Sequence, residues 1–162
     1  MATAIDSQLF RRAMGHFASG VTVVTTLTSE NEPRGMTASA FSSVSLDPPL
    51  ILVCVGRTSS FYEAITAAPF FAVNFLSRDQ QDLSTRFASK IENKFEGVEA
   101  TAGKTGAPLL AGSLAHIECS RYEILPGGDH VIVLGRVEHL DVFGGEPLAY
   151  FAGKYRELVP AE

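Results

Sequence analysis

The sequence has 162 residues and a net charge of −5, with 46% hydrophobic and 19% charged residues. This is the composition of a globular chain, which we expect to form one domain over residues 1–162, and it argues against nucleic-acid binding, which needs clustered Lys and Arg. The start "MATAIDSQLF" does not resemble a signal peptide, and the longest clean apolar run, Leu50–Val55, is too short to cross a bilayer. We therefore expect neither a signal peptide nor a membrane-spanning segment.

In chain order, the pattern predicts a helix, three strands, a helix, a strand, a helix, a loop and two long strands. Helical spacing of apolar residues or capping signals predict three helices: Gln8–Ser19, a short one within residues 58–69, and Ser77–Ser89. Segments rich in β-branched or aromatic residues predict six strands: Val21–Thr28, Gly35–Ser45, Leu50–Val55, Phe70–Leu76, Ser113–Leu125 and His130–Phe143.

Turn and cap residues mark several boundaries of these elements. Asp6 or Ser7 is a candidate N-cap of the first helix, Gly20 its candidate end, and Ser77 a candidate cap of the third helix. The segment "PGGD" predicts a hairpin between the two long strands. Residues 90–108 have few apolar positions and are predicted as loop, and the tail "YFAGKYREL" follows Pro147.

The six predicted strands are not separated by regular long helices, which argues against a parallel doubly wound sheet. A mainly β fold is therefore expected. Six mostly antiparallel strands without evident edge protection favour a small closed barrel with a few short helices.

The two cysteines, Cys54 and Cys119, lie in apolar strand-like segments without metal-ligand spacing. We expect two buried free thiols in a reducing cytoplasm, although spacing alone leaves a disulfide open. Of the motifs tested, G-x-G-x-x-G after a strand, G-x-x-x-x-G-K-[ST], H-E-x-x-H and G-x-S-x-G are absent, and the four histidines show no ligand spacing. No metal site is predicted.

Hydroxyl-rich segments precede and follow the third predicted strand. Thr37, Ser39 and Ser45 lie before it, and "GRTSSF" follows it at the start of a predicted helix. Hydroxyls and turn amides suit a ligand with carbonyls, ring nitrogens and a phosphate. They are equally ordinary as exposed-strand and capping residues, and the spacing leaves both interpretations open.

Five segments, in order from Leu9 to Leu158, resemble the short-chain flavin reductase family, the small reductase components of two-component flavin monooxygenases. They are "FRRAMGHFASGVTVVTT", "RGMTASAFSSVSLDPPLILVCV", "FAVNFLSRDQQDLSTRFA", "GDHVIVLGRVEHL" and "LAYFAGKYREL". The resemblance implies a six-stranded antiparallel FMN-binding split β-barrel with Greek-key connections, usually a homodimer. It also implies that NADH or NADPH reduces FMN or FAD, and that the reduced flavin leaves to serve a separate oxygenase.

The resemblance also implies which residues bind the cofactors. They are Met36, Thr37, Ala38 and Ser39 at the isoalloxazine ring; Ser45, Cys54 and Val55 on the same wall; Thr58, Ser59 and Ser60 near the ribityl phosphate; Asn74, Phe75 and Leu76 on the next strand; Arg86, Phe87 and Ala88 on the closing helix; His130 at the nicotinamide side; and Gly153, Lys154 and Tyr155 near the nicotinamide nucleotide. His130 is the expected catalytic residue, and no residue of 90–108 is assigned.

The scarcity of candidate acids and bases agrees with this activity, because the two cofactors carry out hydride transfer themselves. The protein stacks the rings, excludes water and supplies hydrogen-bond donors. Three alternatives remain at this stage: a non-catalytic flavin-binding protein, a ferric reductase on the same barrel, and a cofactor-free β-barrel interaction module. The residues do not separate FMN from FAD or NADH from NADPH.

Overall fold

The structure is a computed structural model, and it describes residues 5–159. Its helices and strands are α1 (Ser7–Gly15), β1 (Ser19–Gly20), β2 (Thr22–Leu27), β3 (Pro33–Ala38), β4 (Phe41–Leu46), β5 (Pro49–Gly56), α2 (Tyr62–Ala67), β6 (Phe70–Phe75), a 3-10 helix (Arg78–Gln80), α3 (Gln81–Ala88), β7 (Ala100–Ala102), β8 (Pro108–Leu110), β9 (Ala115–Gly127), β10 (His130–Val142), β11 (Ala149–Phe151) and β12 (Lys154–Arg156). The fold is mainly β with a few short helices, as predicted.

The main sheet has seven antiparallel strands in the order β3-β2-β6-β9-β10-β5-β4. The predicted count of six is corrected because the predicted strand Gly35–Ser45 is two strands. Its ladder with β2 ends at Ala38, and a turn follows in which the Phe41 amide donates to the Ser39 carbonyl at 3.0 Å. The turn carries the chain from one edge of the sheet to the other.

One hydrophobic cluster shows that this sheet is strongly curved. It joins Val24 of β2 to Val53 of β5, although three strands lie between them in the sheet order. Phe61 and Ile65, at the start of α2 and within it, are fully buried in the same cluster. Side chains from α2 therefore fill the concave side of the sheet, and each contributes about 1.5–3 kcal/mol through burial.

The helix α1 ends earlier than predicted, and the rest of the protein leaves its side chains largely exposed. Asp6 is its N-cap, accepting from the Leu9 amide at 2.8 Å, but the helix ends at Gly15 rather than near Gly20. The following residues extend to form β1, which pairs with the C-terminal strand β11. No residue of α1 is buried. None of the helices in residues 5–159 is long and apolar enough to span a membrane.

Two predicted irregular regions contain short strands. The segment 90–108 includes β7 and the start of β8, which pair as a hairpin, and the tail folds as β11 and β12. The hairpin turn is held by buried Glu118, whose carboxylate accepts from the Lys104 amide at 3.1 Å and the Thr105 amide at 2.7 Å. Such three-residue strands are too short to give a periodic pattern in the sequence.

Both cysteines are free, as predicted, but only Cys119 is buried; Cys54 is half-buried because its side chain alternates with the inward-facing residues of β5. Cys119 is fully buried, and burial, together with the nearby carboxylates of Glu138 and Glu118, raises the pKa of its thiol to about 12. Burial also raises the pKa of Cys54. Thiols held in this protonated form are poor nucleophiles.

Candidate functional site

A cavity of about 690 Å³ lies between the start of β3, the loop before α2, and residues 90–96. It is lined by Glu32, Pro33, Arg34, Gly35, Ser60, Phe61, Lys90, Ile91, Glu92, Asn93, Lys94, Phe95 and Glu96. Its volume lies within the range of small-molecule sites. Of the predicted cofactor-binding residues only Ser60 lines this cavity, although the lining residue Gly35 directly precedes Met36.

The wall formed by residues 90–96 is held in place by Arg86. Its Nε donates to the Lys94 carbonyl at 2.7 Å, and its Nη2 donates to the carbonyls of Glu96 at 2.6 Å and Asn93 at 3.3 Å. Arg86 is a predicted site residue, and the structure assigns its guanidinium to organising this loop. A planar group with several fixed donors suits three converging carbonyls.

Lys94 is a charged residue of the cavity that the sequence analysis did not assign. Its Nζ donates to the Phe87 carbonyl at 2.8 Å and lies 3.4 Å from the Gly35 carbonyl. Burial lowers the pKa of this ammonium. An ammonium has three donors, so one remains for a ligand in the cavity. The sequence signal, two lysines in an apolar-poor loop, was too weak to single it out from solvated charges.

The helix α3 packs closely on β3 because residue 35 is a glycine. A Cβ at Gly35 would lie 2.6 Å from Cε1 of Phe87, so no larger residue fits without movement of the ring. Further along, the Thr37 hydroxyl donates to the Ser84 carbonyl at 2.7 Å. The Ser84 hydroxyl in turn lies 2.8 Å from the hydroxyl of Tyr155 in β12. The predicted residues Thr37 and Tyr155 are thus joined through Ser84, which the sequence analysis missed.

The loop that follows β5 contacts Met36, one of the residues predicted to lie at the flavin ring. The Ser59 hydroxyl lies 3.3 Å from Sδ of Met36 and accepts from the Phe61 amide at 3.2 Å. Thr58 and Ser60 are exposed. Because Ser59 is used within the protein, Ser60 is the hydroxyl of this loop that faces the cavity.

His130 lies at the β9–β10 turn, where Asp129 orients it. Its Nδ1 is 2.7 Å from Oδ1 of Asp129, and its Nε2 lies 3.6 Å from where a Cβ at Gly56 would be. The hydrogen bond from His130, and then its charge, lower the pKa of the Asp129 carboxyl. Arg57 holds the turn, since its amide donates to the Asp129 carbonyl at 2.9 Å and its Nε to the Gly128 carbonyl at 3.1 Å.

Four predicted residues have side chains in the core and do not line the groove: Val55, Asn74, Leu76 and Phe87. Asn74 is fully buried, and its amide bonds the Val23 carbonyl, the Thr25 hydroxyl and the Leu110 amide. The expectation that these residues bind a cofactor stays a prediction, but their four side chains face the core. The physical reason is strand and helix periodicity, which turns every second or third residue of a matched motif inward.

The remaining predicted residues are exposed or partly buried, except Ala38, which is a further core residue. Ser39, Ala88, Gly153 and Lys154 are exposed, and Ala38, almost fully buried, accepts the Thr22 hydroxyl at its carbonyl. Phe75 packs edge-to-face on Phe41 with ring centroids 5.0 Å apart. Ser45 and Cys54 are half-buried on β4 and β5. Several predicted residues therefore lie at three places: the β3–Ser60 wall, the Thr37–Tyr155 link, and the His130 turn. The others, such as Ser45 and Cys54, lie at none of these.

Comparison with known proteins adds a consistent result. Residues 14–159 match the family described as "Flavin reductase like domain". The chain is 41% identical over 160 residues to "Flavin-dependent monooxygenase, reductase subunit HsaB" of Rhodococcus jostii (strain RHA1), covering 98% of the chain and 82% of that protein. It is 44% identical to a Rhizobium meliloti (strain 1021) protein named "Probable flavin reductase", with 95% of the chain matched, but it spans only 50% of that protein.

A solved structure is similar over its full length. It is the Streptomyces globisporus C-1027 NADH:FAD oxidoreductase SgcE6 in complex with NAD and FAD fragments, with a TM-score of 0.91 and 41% identity, covering 98% of each chain. A relative of the same species named "NADH-dependent FAD reductase" is 40% identical, with 96% of this chain and 87% of that protein covered.

Proposed function

The chain belongs to the flavin reductase-like domain family, and we propose that it transfers a hydride from NADH or NADPH to FMN or FAD and delivers the reduced flavin to a separate monooxygenase. The predicted family is confirmed, and the names of the relatives agree with the predicted class of enzyme, a flavin oxidoreductase. The observation that carries the proposal is the cavity beside β3, with Ser60 on one wall and the Lys94 ammonium on another.

The residues around the cavity fit a flavin nucleotide. Lys90 and Lys94 supply positive charge for a phosphate and Ser60 supplies a hydroxyl, although the carboxylates of Glu32, Glu92 and Glu96 line the same cavity. β3 is an edge strand of the main sheet, so its outer backbone groups have no partner strand and can bond a planar heterocycle. When bound, the flavin supplies the redox chemistry by accepting a hydride from the nicotinamide.

We assign the ring contacts to the backbone of β3 and to Ser39, because the Thr37 hydroxyl already donates to the Ser84 carbonyl. Ser39 is exposed at the end of the strand and keeps its donor free for a ligand. Met36 provides an apolar surface whose position is set by Ser59. These groups would orient the ring and stabilise negative charge that develops on it during reduction.

His130 would lie on the nicotinamide side, as the family resemblance implies. Asp129 fixes its ring through Nδ1, which leaves Nε2 to face the space above Gly56. The His130 ring itself lies over Gly56, at ordinary van der Waals distance from where a Cβ would be. Lys154 and Tyr155, on the tail strand β12, would contact the nicotinamide nucleotide from the other side.

Further parts of the proposal concern the fold and assembly. We propose one split β-barrel domain, since the two edge strands β3 and β4 are consecutive in the chain and the sheet between them is curved. We also propose a homodimer, because α1 presents Leu9, Phe10 and Met14, and Phe17 beyond it, with more than half of each side chain exposed. Apolar surface of this kind is usually covered by a partner. We propose a cytoplasmic location because both cysteines are free thiols.

The experiment is a steady-state assay that crosses FMN, FAD and riboflavin with NADH and NADPH, following the loss of reduced-nicotinamide absorbance. Turnover with at least one pair supports the proposal. Flavin binding without turnover would indicate a flavin carrier, and the absence of flavin binding would refute the assignment. Ferric iron added with and without flavin separates a ferric reductase from a flavin reductase.

Two variants test the assigned places. His130→Ala should slow flavin reduction more than it weakens flavin binding, and an unchanged rate would remove its role. Ser39→Leu should abolish flavin binding while circular dichroism shows the fold retained. Binding by that variant at the wild-type affinity would show that the ring does not lie against the end of β3.

A further inference from the structure

Ser84 is a fully buried polar residue at the centre of three elements. It lies in α3, its carbonyl accepts the Thr37 hydroxyl of β3 at 2.7 Å, and its hydroxyl lies 2.8 Å from the Tyr155 hydroxyl of β12. Neither the sequence pattern nor the family resemblance assigned it a role. A serine inside a short helix that uses both its carbonyl and its hydroxyl for contacts outside the helix is placed to join those elements.

The two ends of this link belong to opposite sides of the proposed groove. Thr37 lies beside the residues proposed for the flavin, and Tyr155 lies in the tail proposed for the nicotinamide nucleotide. The tail itself is a hairpin of two three-residue strands, β11 and β12, with the left-handed residues Ala152 and Gly153 between them. Because β11 also pairs with β1, the tail belongs to a small three-stranded sheet. Sheets of such short strands depend on contacts with the rest of the protein.

The hairpin has other contacts as well. Tyr150 and Tyr155 pack against the hydrophobic cluster that includes Phe87 of α3, and β11 pairs with β1. The Ala152 amide donates to the Gly15 carbonyl at 2.7 Å, and Phe151 packs edge-to-face on His16. Towards α3, the side-chain hydrogen bond is the one between Tyr155 and Ser84. The Tyr155 ring is supported by Tyr150, with ring centroids 5.4 Å apart, so the ring can stay packed when the hydroxyl is removed.

We propose that Ser84 is a positioning residue that sets the separation between the flavin wall and the nicotinamide tail by holding Tyr155 at a fixed distance from Thr37. This inference rests on the proposed function. Ser84 does not touch either nucleotide; it acts through Tyr155. Without the link, the tail must be ordered when the nicotinamide nucleotide binds, and that cost weakens binding of the nicotinamide nucleotide rather than of the flavin.

The test compares Ser84→Ala, Tyr155→Phe and the double variant with Thr85→Ala as the matched control. Thr85 is the next residue of α3, is exposed, and donates only to the Gln81 carbonyl of its own helix. Loss of one neutral hydrogen bond corresponds to about a three- to tenfold change in an equilibrium constant. We expect each single variant to raise KM for NADH by about that factor, with kcat and the flavin dissociation constant within about twofold of wild type.

The double variant should be no worse than either single variant, because all three lack the same bond. Effects that multiply in the double variant, an unchanged KM for NADH, or an equal rise in the flavin dissociation constant would each overturn the inference. Thr85→Ala should match wild type.

Hydrogen exchange of the Lys154–Arg156 amides in the flavin-free protein gives a readout that does not need activity. Ser84→Ala and Tyr155→Phe should each speed this exchange by about three- to tenfold, and Thr85→Ala should not. If wild type oxidises neither nicotinamide with any flavin, the proposed function fails. The exchange result then still decides whether Ser84 holds the tail, and unchanged exchange would refute that role.

Discussion

Arg86 holds one wall of the cavity, so replacing it with methionine should release residues 90–96. Methionine keeps an unbranched side chain of similar length but removes the donors to the carbonyls of Lys94, Glu96 and Asn93. Helix propensity barely changes, since Arg and Met rank together. The expected effect is therefore local to the loop rather than to α3.

The magnitude follows from the three hydrogen bonds. A hydrogen bond to a charged group contributes about 1.5–3 kcal/mol. The two bonds from Nη2 are exposed to solvent, which replaces part of their energy, whereas the bond from Nε to Lys94 is partly buried. We therefore expect the loop to lose about 2–4 kcal/mol of local stability, which raises its opening equilibrium by about 30- to 1,000-fold.

The assay is native-state hydrogen exchange of two amides in and beside the loop. The Glu96 amide donates to the Asn93 carbonyl at 3.2 Å and the Val98 amide to the Phe95 carbonyl at 3.0 Å. Both should exchange faster by the factor given, and the flavin dissociation constant should rise because the cavity wall is no longer fixed. Arg136→Met, at an exposed position of β10, is the control. Exchange of Glu96 and Val98 within about twofold of wild type would refute the assignment.

Three further changes test the packing around the site. Gly35→Ala should cost about 1–3 kcal/mol in urea unfolding because its methyl meets Phe87, and wild-type stability would contradict the close packing of α3 on β3. Asn74→Ala leaves the buried Leu110 amide unpaired and should cost about 2–4 kcal/mol, which thermal unfolding measures. Burial alone would raise the pKa of Glu118, but hydrogen bonds lower it overall, so its stabilisation holds above its unfolded pKa and is lost on acidification. Glu118→Gln should remove that part of the acid dependence, so the variant should lose less stability than wild type on acidification. A pH–stability curve parallel to that of wild type would contradict this role of Glu118.

The mainly β fold and most of the strands were predictable from local pattern. Segments such as Val21–Thr28 and Phe70–Leu76 have the composition of strands whatever their partners, and "PGGD" specifies a hairpin by itself. The family was predictable for a related reason, because five ordered motifs persist over nearly the whole chain. The errors came from short elements, since β7, β8, β11 and β12 contain three residues each and form only against a neighbour.

The groove itself depended on contacts between residues far apart in the chain. A matched motif carries ligand-facing and core-facing residues together, so its letters could not show that Asn74 and Phe87 point inward while Ser39 and Ser60 remain outside. Nor could they show that Arg86 orders a loop of unremarkable polar residues. They could not show either that Ser84 contacts both Thr37, 47 positions before it, and Tyr155, 71 positions after it. Periodicity is a local property that the order of residues expresses directly. The direction of a side chain, and the partner that takes up its hydrogen bond, are settled only when the sheet curves and α3 packs against it.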